Sequence, residues 1–146
     1  MKLHNYASDL ARNFSLDKWW KMYENAQKSV GALKSYYTFR YMRTASKDGG
    51  YCGRTAVIKG KPIMPHGFHG IHISREAVIG ENVTIFQNVT ITNVTICNDV
   101  FIGAGAVLVG PITIGNNVKI GAGTVVVENI PDNCTVVGQK ARIIQN

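Results

Sequence analysis

The sequence has 146 residues, enough for one domain or for one repeat solenoid with an appendage. It contains no run of eighteen apolar residues, so we expect no membrane span. The net charge of +7 is concentrated at one end: residues 1–61 hold twelve Lys or Arg and four acids, whereas residues 62–146 hold four and five. Such asymmetry can indicate nucleic acid, a membrane surface or a phosphorylated ligand. No nucleic-acid motif accompanies it, so we expect no nucleic-acid partner.

The N-terminus and the cysteines indicate the compartment. Residues 1–6 lack the apolar core of a signal peptide. Cys52, Cys97 and Cys134 are an odd number of cysteines without the spacing of a metal or redox site, which indicates free thiols. We therefore expect a cytoplasmic protein.

Residues 5–45 have the pattern of helices. Ser15 is a predicted N-cap, and apolar residues from Trp19 to Tyr41 recur at helical spacing, with Gly31 as a predicted break. The pair Trp19-Trp20 could stack on an adenine, but packing against the coil or a neighbouring subunit is the favoured interpretation. We assign residues 1–50 to an N-terminal α-helical segment.

From residue 73 onward, aliphatic residues recur every six positions, and turn-forming Gly, Asn and Asp separate them. The predicted inward positions are Ile73, Ile79, Ile85, Ile91, Ile96, Ile102, Leu108, Ile114, Ile120 and Val126. The step from Ile91 to Ile96 is five, so one residue is missing there. A period of six with a turn in every repeat indicates a solenoid whose coils have three flat faces. The sequence thus predicts a mainly β fold, a parallel β-helix over residues 51–130, followed by a tail over residues 131–146.

The first coil, over residues 51–64, is imperfect. Val57-Ile58 and Ile63-Met64 are its expected inward positions, and residues 65–70 interrupt the hexads and must bulge or loop out.

These repeats resemble those of the hexapeptide-repeat acyltransferases. The closest similarity is to serine O-acetyltransferases and to related acetyltransferases of polysaccharide gene clusters. The residues that carry it are Met64-Pro65-His66-Gly67, Gly70-Ile71-His72-Ile73, Gly103-Ala104-Gly105-Ala106, Ile130 to Gly138 and Ala141-Arg142-Ile143. The resemblance implies a left-handed coil, although the general crossover rule would favour the right hand. It also implies a homotrimer with the active site between subunits, and acetyl-CoA as co-substrate.

By resemblance, His66 occupies the position of the family's catalytic base. Acetyl transfer to a hydroxyl needs a base for the acceptor's proton, and imidazoles, which ordinarily titrate near ~6.5, are suited to this at neutral pH. His69 and His72 are weaker candidates, and His72 is expected to be exposed or at an interface. The three histidines also suggest a zinc site, but residues three apart on a strand face opposite sides, so we expect no metal.

The resemblance also implies a coenzyme site. Small residues at two corners would meet the pantetheine arm, and two basic residues of the tail would meet the phosphates. These residues are Gly103, Ala104, Gly105, Ala106, Gly121, Ala122, Lys140 and Arg142.

The acceptor stays open between serine and a sugar, because the sequence departs from the serine acetyltransferase pattern. Pro65 stands where that family carries an aspartate, and the second active-site histidine has no counterpart. Two other functions remain as alternatives: a metal-dependent hydratase like the γ-carbonic anhydrases, and a non-catalytic hexapeptide-repeat protein.

Overall fold

A computed structural model describes residues 16–139 and residue 144, which form two helices followed by eleven strands. Helix α1 covers described residues 16–28, and helix α2 covers Gly31–Lys47. The strands are β1 (Tyr51–Cys52), β2 (Val57–Ile58), β3 (His72–Ile73), β4 (Val78–Ile79), β5 (Thr84–Ile85), β6 (Thr90–Ile96), β7 (Phe101–Ile102), β8 (Val107–Ile114), β9 (Lys119–Ile120), β10 (Val125–Val126) and β11 (Thr135–Val136). Neither described helix is long and apolar enough to cross a membrane. The predicted N-cap Ser15 lies outside the described residues.

The strands form the three faces of a triangular coil. Face A stacks β1, β3, the first half of β6, the first half of β8, and β10. Face B stacks β2, β4 and the second halves of β6 and β8, and face C stacks β5, β7, β9 and β11. Every one of these pairs is parallel, over about five turns. The predicted parallel β-helix with an N-terminal helical segment is confirmed.

An apolar column fills the coil behind each face. All ten predicted inward positions from Ile73 to Val126 are buried. In the first coil, Ile58 and Met64 are buried, but Val57 and Ile63 are each 48% exposed. Their predicted inward orientation is wrong, because adjacent residues of a strand point to opposite sides and only one of each pair can face inward.

Left-handed residues turn the chain between faces. The non-glycine residues with φ between 53° and 60° are Asn82, Asn88, Asn93, Asp99, Asn117 and Asn133. Asn and Asp tolerate this conformation better than other side chains do. They also bond from coil to coil: the Asn82 amide donates to the Asp99 carboxylate at 2.7 Å, and the Asn117 amide donates to the Asn133 side-chain oxygen at 2.9 Å.

The missing residue of the third coil is absorbed at one corner. Thr92 pairs with Val109 and Val94 with Ile112, so Asn93 alone faces the two residues Gly110 and Pro111 of the next coil. A Cβ atom on Gly110 would lie 1.8 Å from the Asn93 carbonyl oxygen. Only glycine at position 110 lets these two corners approach so closely.

The coil continues past residue 130, the end predicted from the sequence. Strand β11 pairs with β9 through Thr135 opposite Lys119 and Val136 opposite Ile120. The six-residue step fails after Val126 because the next bridged residue is Ile130, only four positions on, after which Val136 follows at a step of six. The ladder itself does not end there.

The two helices pack on the first coil through aromatic rings. Trp19 is fully buried, and its ring lies 4.6 Å from that of Phe68, 5.6 Å from Tyr23 and 6.4 Å from Tyr41. The packing interpretation of Trp19 is therefore confirmed. Because Phe68 belongs to the segment 65–70, this contact also holds that segment against α1.

Tyr23 joins α1 to the first coil by two hydrogen bonds. Its hydroxyl donates to the Ala56 carbonyl at 2.9 Å and accepts from the Ile58 N–H at 2.7 Å. Burial raises the pKa of Tyr23 from 10.0 to about 12. The neutral phenol is thus the form that the fold requires.

We expect Tyr23→Phe to lower the free energy of unfolding by about 1–3 kcal/mol, because it leaves a buried N–H and a buried carbonyl unpaired. Urea denaturation near pH 7 would measure this loss. Because the pKa of Tyr23 is higher in the folded than in the unfolded protein, its contribution to the free energy of unfolding is complete below pH 10. That contribution is lost as the pH rises toward 12. The variant should therefore lose less stability than wild type in that window. The exposed Tyr36→Phe is the control, and equal loss in both variants would contradict a role for these bonds.

Candidate active site

The candidate site lies along the edge where face C turns into face A, here called the loop edge. Its corners, from the first coil to the fourth, are residues 65–70, Gln87–Asn88, Ala104–Gly105 and Ala122–Gly123. Backbone N–H groups connect them: Asn88 donates to the His69 carbonyl at 2.9 Å, Gly105 to Gln87 at 3.0 Å, and Gly123 to Ala104 at 2.8 Å. With about 4.8 Å between neighbouring strands, the four corners span about 14 Å.

Residues 65–70 form the bulge that the interrupted hexads predict. Gly67 and Gly70 both have a φ of 62°, and a Cβ atom on Gly70 would lie 2.1 Å from the Asn88 side-chain oxygen. Phe68 is buried against Trp19. Anchored at these points, the bulge presents its two histidines, His66 and His69, to solvent.

His66 stands beside an aromatic wall. Its ring lies 5.9 Å from that of Phe86, which lies 5.2 Å from that of Phe101. Phe101 is 41% exposed, so the wall continues from His66 onto the outer surface of face C. An exposed imidazole next to an apolar wall can take a proton from a bound hydroxyl group while the wall limits the access of water.

Asp48 contributes a carboxylate that the sequence pattern did not reveal. One oxygen of its carboxylate lies 3.6 Å from the position of a Cβ atom on Gly67, the residue after His66. The Asp48 backbone carbonyl also accepts from the Gly70 N–H at 3.4 Å. In the sequence, Asp48 is only part of an Asp-Gly-Gly turn signal, and its approach to the bulge depends on how α2 ends over the first coil.

The two weaker histidine candidates lie on different parts of the coil. The His72 ring stacks on Tyr51 at 4.8 Å, on face A, and His72 is exposed as expected. His69 is exposed within the bulge. Within residues 16–139, no three or more His, Cys, Asp or Glu side chains come together as potential metal ligands.

The two Gly-Ala-Gly corners lie on the same edge as His66. A Cβ atom on Gly103 would lie 2.6 Å from the Ala122 nitrogen, so glycine is needed there for the coils to stack. At Gly105 a Cβ atom would meet nothing within 4 Å, which leaves the outside of that corner open. The N–H groups of Ala104 and Ala122 donate to no backbone carbonyl of the described chain. These N–H groups could donate hydrogen bonds to the carbonyl oxygens of a ligand.

The remaining predicted coenzyme residues divide into two groups. Ala106 is buried at the start of face A, and Gly121 precedes its corner at the end of face C. Lys140 and Arg142 lie outside the described residues. The described residue Gly138 lies at the loop edge, since a Cβ atom on it would lie 3.7 Å from the Gly123 carbonyl oxygen.

Two buried polar atoms on the loop edge lack a hydrogen-bond partner among the described residues. They are the side-chain carbonyl oxygen of Gln87 and the hydroxyl oxygen of Thr124. Such atoms are rare in folded proteins, and their position calls for a reason. Both atoms lie beneath the surface of the edge and do not contact solvent.

The repeats match a known family. Residues 76–109 and 93–128 both match the family described as bacterial transferase hexapeptide (six repeats). The region similar to this family therefore extends over residues 76–128. The two matches run from β4 in the second coil to β10 in the fifth, and the candidate site joins this region to the first coil.

Relatives with named activities share these hexapeptide repeats. A serine acetyltransferase of Bacillus pumilus (strain SAFR-032) is 36% identical over 122 residues, which cover 76% of this chain and 56% of the relative. The putative colanic acid biosynthesis acetyltransferase WcaB of Escherichia coli (strain K12) is 39% identical over 102 residues, which cover 64% of this chain and 63% of the relative. The predicted resemblance to both groups is thereby confirmed. The chain spans about half the length of the relatives it matches.

Solved structures agree with this resemblance. Soybean serine acetyltransferase, crystallised in complex with serine, superposes with a TM-score of 0.65 at 32% identity. The superposition covers 77% of this chain and 50% of the soybean chain. Over that share of the chain, the fold is thus similar to that of soybean serine acetyltransferase.

Proposed function

We propose that this chain is an acetyl-CoA-dependent O-acetyltransferase that acts on a small hydroxyl acceptor, either serine or a sugar. The observation that carries the proposal is the loop edge, where an exposed histidine and two glycine-rich corners lie within about 14 Å on one line. The names of its relatives support acetyl transfer. One relative is named for serine and another for the biosynthesis of colanic acid.

In the proposed reaction, His66 is the general base. Its imidazole takes the proton of the acceptor hydroxyl while that oxygen attacks the thioester carbonyl carbon. The tetrahedral oxyanion then collapses, the carbon–sulfur bond breaks, and the imidazolium returns the proton to the departing thiolate. Asp48, whose carboxylate lies beside Gly67, is proposed to orient the imidazole or to stabilise its protonated form.

The coenzyme would lie along the loop edge. The N–H groups of Ala104 and Ala122, which donate to no backbone carbonyl of the described chain, are suited to donate to amide carbonyls of the pantetheine arm. The small residues Gly103, Gly105, Ala106 and Gly121 would keep that arm close to the backbone. Lys140 and Arg142 remain proposed partners of the phosphates, for which cationic side chains are suited.

A second subunit is proposed to complete this site, in a homotrimer. Face A carries exposed valines on its later coils: Val109, Val125 and Val127 are 41%, 65% and 67% exposed. Val107 lies beside them and is partly buried. An apolar β surface of this kind is usually covered by another chain.

We expect a solution mass of about three times the 16.0 kDa chain, measured by light scattering. Val125→Lys combined with Val127→Lys should shift the protein toward monomer, because it places charge in the apolar contact. Lys119→Glu, on face C, is the control and should leave the mass unchanged. A monomeric wild-type protein would remove the second wall of the proposed site.

A panel of acceptors tests the proposed function. Release of free coenzyme A thiol from acetyl-CoA would be followed with serine, neutral hexoses and amino sugars, each against a reaction without acceptor. One acceptor class should raise the rate well above hydrolysis. No acceleration by any hydroxyl compound, with the coenzyme still bound, would instead indicate a non-catalytic protein.

A further inference from the structure

The helical hairpin carries a cationic depression that the proposed reaction does not use. It has a volume of about 220 Å³ and lies between α1 and the second half of α2. Four cations line it together with one aromatic ring and one hydroxyl: Lys18, Arg40, Arg43, Lys47, Phe39 and Thr44. Among residues 16–139, no carboxylate lines this depression.

These four cations have no described counter-charge. Among the described residues, an ion pair joins Lys61 to Asp17. Asp17, the acid next to Lys18 in sequence, therefore already has a cationic partner. The carboxylate of Asp48 lies against the bulge at Gly67 instead. Four cations around one depression repel each other unless an anion lies among them, and paired arginines favour the oxygens of a phosphate.

The same side of α2 also exposes large apolar side chains. Leu33, Tyr36 and Phe39 are 55%, 51% and 59% exposed, and Val30, just before the helix, is 85% exposed. Leu33 and Tyr36 precede Arg40, Arg43 and Lys47 at steps of three and four, so all five share one side of the helix. This side, together with Lys18 and Phe39, is called the basic face.

We propose that the basic face docks the protein onto a membrane surface rich in anionic phospholipid. Lipid phosphates would occupy the depression, and Leu33, Tyr36 and Phe39 would enter the boundary between headgroups and acyl chains. Cations attract such a surface, and exposed Leu and aromatic side chains anchor a helix lying in its plane. Neither contribution needs a helix that crosses the membrane.

Two other occupants fit the basic face less well. A second copy of this chain, joined face to face by a twofold axis, would bring each cationic depression against a like one. A nucleic acid would satisfy the cations but would leave Val30 and Leu33 in water, since aliphatic side chains do not stack on bases. The membrane surface uses both the charge and the apolar side chains.

Docking would also place the candidate site near the lipid. Asp48 directly follows Lys47 at the end of α2 and contacts the bulge that carries His66. An acceptor held at the membrane surface would then meet the loop edge, a consequence that rests on the proposed function. The docking itself does not depend on that function.

Sedimentation with vesicles tests the proposal. The full chain should bind vesicles that contain phosphatidylglycerol, bind phosphatidylcholine vesicles far less, and lose binding as salt rises. Replacing three cations, as Arg40→Gln, Arg43→Gln and Lys47→Gln together, should weaken binding roughly 100-fold, at about fivefold per cation. The matched control replaces three exposed cations of the coil, Lys59, Arg75 and Lys119, by Gln and should bind like wild type.

A second variant separates a membrane from a soluble anion. Leu33→Ser with Phe39→Ser keeps every cation, so it should weaken vesicle binding but leave any affinity for glycerol phosphate unchanged. Thermal unfolding of each variant would confirm that these exposed substitutions leave the fold intact. Equal binding to both vesicle types, or equal loss in the triple variant and its control, would overturn the proposal. So would full vesicle binding by the serine variant, or an oligonucleotide bound more tightly than the vesicles.

Discussion

Replacing His66 by alanine is expected to lower kcat by about 10²–10⁴ while leaving the affinity for coenzyme A nearly unchanged. The imidazole would act on the acceptor's proton at one end of the loop edge. The proposed coenzyme contacts lie on the later corners, at Ala104 and Ala122, and they do not involve this side chain. Steady-state kinetics with the best acceptor of the panel, together with a separate coenzyme-binding measurement, would test both parts of this expectation.

Neighbouring residues supply the controls for this variant. His69→Ala removes an equally exposed imidazole of the same bulge, and His72→Ala removes one that stacks on Tyr51 on another face. Both should cost far less than His66→Ala. Asp48→Asn should lower kcat by a smaller factor than His66→Ala, because it changes only the charge beside the base. Near-wild-type turnover in His66→Ala would mean that the base lies elsewhere.

The largest expected effect on stability is that of Ile114→Ala, a loss of about 2–5 kcal/mol in the free energy of unfolding. Ile114 is fully buried in the column behind face B, where it pairs with Ile96 of the coil before it. Coils fixed by ladders on three faces cannot collapse around the space left by the removed atoms. Urea denaturation of the variant would measure the loss.

The adjacent residue provides the matched control. Thr113 lies in the same strand but points outward and is exposed, so Thr113→Ala should cost less than about 1 kcal/mol. Ile102→Ala, at an equally buried position behind face C, should repeat the large effect. Equal denaturation midpoints for the Ile114 and Thr113 variants would contradict the inward and outward assignment of the hexads.

The repeat made most of the fold predictable. A six-residue step places one aliphatic residue behind each of the three faces in turn. The buried residues from Ile73 to Val126 follow this step. The step could not resolve the first coil, where two adjacent aliphatic pairs left the inward residue ambiguous, as Val57 and Ile63 demonstrate. It also could not follow the shortened last turn to Val136, because Pro131 resembles the end of a ladder.

The site was predictable only in part. Corners one coil apart must stack, so residues 103–106 and 121–122 could be expected on one edge once the period was known. The resemblance suggested His66 as the base, which stays a prediction, and the bulge joins His66 to that edge. Asp48 could not be found in this way, because it belongs to a helix end whose position depends on the packing of Trp19 and Phe68. Contacts between the helices and the coil follow no repeat.

Mass spectrometry of the reaction products tests the central claim most directly. The purified full chain would be incubated with acetyl-CoA and the best acceptor, and both products would be quantified. The acceptor should gain one acetyl group, held by an ester that mild alkali removes, for each coenzyme A thiol released. The His66→Ala protein should form that ester about 10²–10⁴ times more slowly. Thiol release without any acetylated acceptor, or equal ester formation by both proteins, would contradict acetyl transfer at His66.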